Sequence, residues 1–193
     1  MQTLFPKPKV LFGTGFFIST AIAALLIPLD WLLAWLTAAA VHELGHCICI
    51  HCCHGTIQEV RLSWNGVIIK TDIPSCHEAV CAFSGPAMGA LLMLFFRWLP
   101  RVAICAAIQT LVNMLPLYPM DGGRVLRGIS RRFFSKQLTD RIMWLSAVFT
   151  AFGVSYVLCR LRMWNLVSLL GVVLLLKGRN IKIPCKPLKL RVQ

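Results

Sequence analysis

Apolar positions in this chain fall into long runs separated by short polar stretches. Val10 to Leu29 is a first run of about 20 residues, which matches a hydrocarbon core of about 30 Å. Pro28-Leu29-Asp30 reads as a tight turn, and Trp31 to Ile50 is a second run. His51 to Ser75 then changes period. Residues 56–64 alternate loosely, Asn65-Gly66 is a turn signal and Val67 to Thr71 is β-branched, so a β-hairpin is expected at the membrane surface. Such a hairpin could be a simple connector or an edge that pairs with an extended peptide. Further apolar runs follow at Ala79–Leu99, Val102–Leu117, Ile142–Cys159 and Trp164–Leu176. The expectation is an all-α polytopic membrane protein with about six transmembrane helices and a small membrane-surface β-hairpin. Residues 1–180 form the membrane domain and 181–193 a basic cytoplasmic tail.

Composition supports this reading. Hydrophobic residues make up 58% of the 193 positions and charged residues 14%, too little polar surface for a soluble globule. The formal net charge of +13 does not point to nucleic acid, because the basic residues cluster between the apolar runs. Lys7 and Lys9 before the first run outline a signal peptide. With no small-x-small cleavage site ahead of a soluble region, the run reads as a retained first span. With six spans, 16 of the 20 Lys and Arg fall on the side of both termini and 4 on the other. That bias puts the termini in the cytoplasm. Arg124 to Arg141 is basic and amphipathic, suited to an anionic surface. The nine cysteines are too irregular for a disulfide framework and read as buried free thiols.

The chemistry sits at the end of the second run. His42-Glu43-Leu44-Gly45-His46 is H-E-x-x-H, and on a helix the two histidines lie on one face, able to hold one ion. Glu43 is turned about 100° from His42 and can reach a water at that ion without ligating it. Ionisable groups inside a membrane span are costly and tend to mark function. The second informative stretch is Asn113 to Arg124, where Pro116 and Pro119 break any helix and Gly122-Gly123 permit turns. Asp121 is either a third metal ligand or the N-cap of the next helix, and the residues alone leave both open. In the six-span topology Asp121 and the two histidines share one depth, near the cytoplasm. His51-Cys52-Cys53-His54 could bind a metal or form an interfacial turn. Ser84-Gly85-Pro86-Ala87-Met88-Gly89 reads as close helix packing with a proline kink.

His42-Glu43-x-x-His46 together with Asn113-x-x-Pro116-x-x-Pro119-x-Asp121-Gly122 resembles the site-2 protease family of intramembrane zinc metalloproteases. Ser84-Gly85-Pro86 matches the family's glycine-proline element, and the resemblance spans roughly residues 10–180. It is closest to the stage IV sporulation protein FB branch, whose members process a membrane-associated sigma-factor precursor. Members of that branch often carry a CBS domain after the last span, where this chain has a basic tail. The resemblance implies Zn2+ held by His42, His46 and Asp121, with Glu43 as general base and Asn113 assisting at the substrate backbone. It also implies a membrane-associated protein substrate, and it leaves an inhibitory membrane partner and an oligomer open. A silent client-binding protein of the same fold would not need Glu43. A metal transporter would need polar residues along a path rather than at one depth.

Overall fold

The computed structural model describes residues 9–63, 66–73 and 77–161. The elements run β1 (Lys9–Phe12), α1 (Thr14–Leu26), α2 (Leu29–Cys52), β2 (Thr56–Ser63) and β3 (Gly66–Asp72). Then come α3 (Glu78–Met93), α4 (Pro100–Asn113), α5 (Asp121–Phe133) and α6 (Lys136–Arg160). The chain divides into two compact units, residues 1–147 and 148–193. Everything that positions the site lies in the first.

Helix α2 carries the chemistry. Its Leu- and Ala-rich sequence favours helix, and Asp30 in the first turn complements the positive end of the helix dipole. It ends where His54 takes the left-handed conformation (φ 56°) and the Gly55 amide returns to the Ile50 carbonyl at 2.9 Å. At its other end Arg101 pairs with Asp30 at 3.0 Å and lies over the Trp31 ring.

Helix α3 packs against α2, α4 and α5, while α2 also packs on α4. The α2–α4 seam is made of small side chains, with Ala34, Ala38, Cys105 and Ala106 buried together under Leu92 and Val102. Small residues let the backbones approach closely, so dispersion replaces bulk as the source of cohesion. Gln109 is buried in the same seam and donates to the Trp35 carbonyl at 3.0 Å, which satisfies its amide.

The expected hairpin is present, and it belongs to a three-stranded sheet ordered β1-β2-β3. Strands β2 and β3 pair antiparallel from Thr56↔Asp72 to Ser63↔Gly66, with an irregularity between Ile57 and Glu59. Glu59 joins them, accepting from Lys70 at 2.8 Å and from Arg61; the Lys70 ammonium holds its carboxyl below the usual range. Strand β1 lies parallel to β2, from Lys9↔Glu59 to Phe12↔Leu62. This corrects the first span. The segment from Lys9 to Phe12 is strand rather than helix, because the open edge of β2 offers its amides and carbonyls a ladder.

Among the described residues, two helices are long and apolar enough to cross a membrane, α2 with 24 residues and α6 with 25. Helix α1 has 13 residues, α3 has 16 and α4 has 14. Thirteen residues rise only about 20 Å. The expected third span stops at Met93 and continues as turns to Trp98, and the expected fourth runs from Pro100 to Asn113. The basic segment also differs from expectation. Instead of one helix from Arg124 to Arg141, α5 ends at Phe133, Phe134 is extended, and α6 starts at Lys136. Ser135 explains the restart, its Oγ accepting from the Leu138 amide at 3.4 Å. The sixth run and the basic tail lie outside the described residues.

Candidate metal centre

Two separate segments deliver three donor atoms to a single point. His42 and His46 leave α2 on the same face, one turn apart, both buried. Asp121 arrives from the first turn of α5, also buried. His42 Nε2 and Asp121 Oδ2 are 2.9 Å apart, His46 Nε2 and Asp121 Oδ2 are 3.3 Å apart, and the two Nε2 atoms are 3.3 Å apart. Two of the three separations are those of ligands around one small cation, and the third is shorter by a few tenths of an ångström. Metal–nitrogen and metal–oxygen bonds of about 2.0–2.2 Å at tetrahedral angles put neighbouring donors about 3.3–3.5 Å apart.

Hydrogen-bond chemistry makes the same point. His46 Nδ1 donates to the Cys81 carbonyl at 2.7 Å, so in the neutral ring Nε2 is a bare acceptor. That lone pair faces another imidazole nitrogen and a carboxylate oxygen. A cation satisfies all three, and a backbone carbonyl behind the second nitrogen is how ligating histidines are commonly held. Protons on the imidazoles can take the cation's place. Burial pushes the Asp121 carboxyl up, but the hydrogen bonds from His42 and His46 and their charge outweigh it and hold it down at about 2.

The loop before α5 explains why Asp121 arrives where it does. Pro116 and Pro119 end α4's path, and the Leu117 and Met120 amides close tight turns at 2.7 Å each. The N-cap of α5 is Met120, so Asp121 is the first residue of the helix proper rather than its cap. Of the two roles the sequence left open for Asp121, the geometry therefore places it with the imidazoles. The glycine pair lets the helix seat against this loop. A Cβ at Gly122 would collide with the Met114 carbonyl, and one at Gly123 with the Leu117 backbone.

Asn113, the last residue of α4, sets its Nδ2 3.3 Å from His42 Nε2. Glu43 is half-buried beside the cluster, as its place one residue after His42 requires. Of the five residues expected from the sequence, His42, His46, Asp121 and Asn113 meet at one point, and Glu43 follows His42 on α2.

Three contributors were not foreseen. The Cys81 carbonyl orients His46, and backbone atoms carry no signature in the sequence. Arg124 Nη1 stands 3.6 Å from Asp121 Oδ1, the carboxylate oxygen turned away from the imidazoles. An Arg three residues after the Asp on a helix was the available signal. Gly85 was read as packing, yet a Cβ there would lie 2.8 Å from His42 Nε2 and closer to His46 Nε2. It is the floor of the site. Of His51-Cys52-Cys53-His54, the first two residues finish α2, His54 turns the chain, and only Cys53 joins a potential metal cluster among the described residues.

No family model and no curated protein sequence matches the chain. A solved structure does, a site-2 protease from Methanocaldococcus jannaschii. The TM-score is 0.57 over 86% of this chain and 85% of that one, with 18% of aligned residues identical. The geometry of the donor cluster and this likeness together establish that the chain has a predominantly helical fold similar to that of a site-2 protease, with a metal-competent cluster of His42, His46 and Asp121.

Proposed function

We propose that the chain is an intramembrane zinc metalloprotease that hydrolyses a peptide bond in or near a membrane-associated segment of a protein. The observation that carries this is the triangle of His42, His46 and Asp121 donors with Glu43 beside it. Two imidazoles and one carboxylate are a donor set for catalytic zinc, which leaves a position open to substrate. When bound, the ion supplies Lewis-acid polarisation of a carbonyl and acidifies water. The chain's own residues do the rest. Glu43 accepts the proton of the attacking water and passes it to the leaving amine. Asn113, at 3.3 Å from His42, lies within reach of the scissile carbonyl or its neighbour. Arg124 and the Cys81 carbonyl hold Asp121 and His46 in orientation.

The reading includes about six spans, with the site toward the cytoplasmic face of a bacterial membrane. The substrate is a membrane-associated protein, and the motif resemblance favours a sporulation sigma-factor precursor. A transmembrane helix keeps its amides bonded internally, so the substrate must unwind before it can be cut. Among the described residues strand β3 is an open sheet edge that can receive it in extended form.

Co-expression with a tagged sigma-factor precursor in a heterologous bacterium tests this. A shortened product is expected with the natural chain and none with Glu43→Gln, which keeps its metal. If the precursor stays intact, the sigma-factor assignment falls. If the purified protein also carries no zinc that His46→Ala removes, the protease reading falls with it.

A further inference from the structure

A second cluster of metal-binding chemistry adjoins the first and is unused by the proposed reaction. Cys49 and Cys53 lie four residues apart at the C-terminal end of α2, and Cys81 meets them from the start of α3. All three are free thiols, Cys81 buried and the other two half-buried. Cys81 Sγ is 3.4 Å from Cys49 Sγ and 4.0 Å from Cys53 Sγ, and the three sulfurs lie within 4.8 Å of one another. Metal–thiolate bonds of about 2.3 Å put two sulfurs on one ion about 3.8–4.0 Å apart for tetrahedral to trigonal angles. Small side-chain rotations bring this triangle onto that geometry. A disulfide, with a bond of about 2.05 Å, would use two sulfurs and leave the third without a role.

We propose that Cys49, Cys53 and Cys81 form a second metal site, for a thiophilic d10 ion, Zn2+ or Cu+. An all-sulfur donor set selects such ions, whereas the nitrogen–oxygen set beside it does not favour Cu+. Each ligating thiol releases its proton to solvent as its sulfur–metal bond forms, with no change of oxidation state. The site joins α2 to α3 within one helical turn of His46. Cys81 links the two centres, since its thiol would bind the soft ion while its carbonyl accepts the His46 Nδ1 proton. Ser84 Oγ donates to the same carbonyl at 2.8 Å. An ion on the three sulfurs fixes the position of that carbonyl and so the tilt of the His46 ring. The site is a staple and takes no part in bond cleavage, so it stands independently of the proposed activity.

Cd2+ is the probe. The full chain, purified in detergent under reductant and stripped with chelator, is titrated while the ultraviolet thiolate-to-Cd2+ charge-transfer band is followed. The band is expected to saturate at one equivalent and to persist in the His46→Ala, Asp121→Asn double variant. It is expected to vanish in Cys53→Ser and in Cys49→Ser and to remain in Cys52→Ser, whose side chain is exposed. Circular dichroism of each variant separates loss of the site from loss of the fold. Displacement of Cd2+ by Zn2+ or by Cu+ identifies the ion and supports the proposal, while displacement by neither overturns it. No band, or a band surviving both serine variants, also overturns it. So does a protein that takes up no Cd2+ under reductant and loses two titratable thiols without it, since it carries a disulfide instead.

Discussion

Gly85 is the residue at which the fold and the chemistry constrain each other most tightly. Its α-carbon faces both imidazoles, with space for hydrogen and nothing larger. Gly85→Ala is expected to push His42 and His46 apart. Overpacking of this kind costs about 1–3 kcal/mol. The variant should lose its metal and melt at lower temperature in detergent, as metal analysis and thermal unfolding would report. Full metal content with an unchanged Tm would remove Gly85 from the site. His42 and His46 were legible in the sequence because helical periodicity alone maps their spacing onto one face, with Glu43 about 100° round from it. Asp121 was legible only as a choice. It meets His42 across 79 positions, and whether it caps its own helix or reaches that far depends on where α5 begins. Gly85 was misjudged for a different reason. A glycine shows that something approaches closely, but the sequence does not say what.

At the scale of elements, the sheet edges carry the next expectation. Strand β2 is central, which leaves β1 and β3 as edges. If β3 receives an unwound substrate, its outward amides take part in binding. Proline placed in turn at Val67, Ile68 and Ile69 should then reduce cleavage wherever the replaced amide points away from β2, with zinc content unchanged. Cleavage unaffected at all three positions would leave the sheet as a connector. The hairpin itself was readable from alternation and its turn signal. Strand β1 was not, because Val10, Leu11 and Phe12 at the head of a longer apolar run look the same whether they enter a membrane or pair with a strand. The break between α5 and α6 was hidden in a similar way. Basic residues continue across it, and the restart is marked locally, by the bonds from the Leu138 and Thr139 amides to Ser135.

For the molecule as a whole, the open question is which way it sits in the bilayer. Helices α2 and α6 rise about 36–38 Å, more than the hydrocarbon core needs. Helix α6 exposes Trp144, Phe149, Phe152 and Tyr156, side chains suited to lipid. In the proposed six-span topology, orientation follows from the excess of Lys and Arg on the side assigned to the hairpin and the Asp121 loop. Cys52 can report it. It is an exposed thiol at the end of α2 that follows the His42-to-His46 motif, and no metal role is assigned to it. In cells expressing a variant whose other cysteines are serine, a membrane-impermeant maleimide should leave Cys52 unlabelled until the membrane is permeabilised. Removing Cys49, Cys53 and Cys81 also removes the second metal site, so circular dichroism of the purified variant must first match the natural chain. Labelling of intact cells would turn the molecule over. The proposed catalytic end of α2 would then face away from the cytoplasm, and a cytoplasmic sigma-factor precursor could not be its substrate.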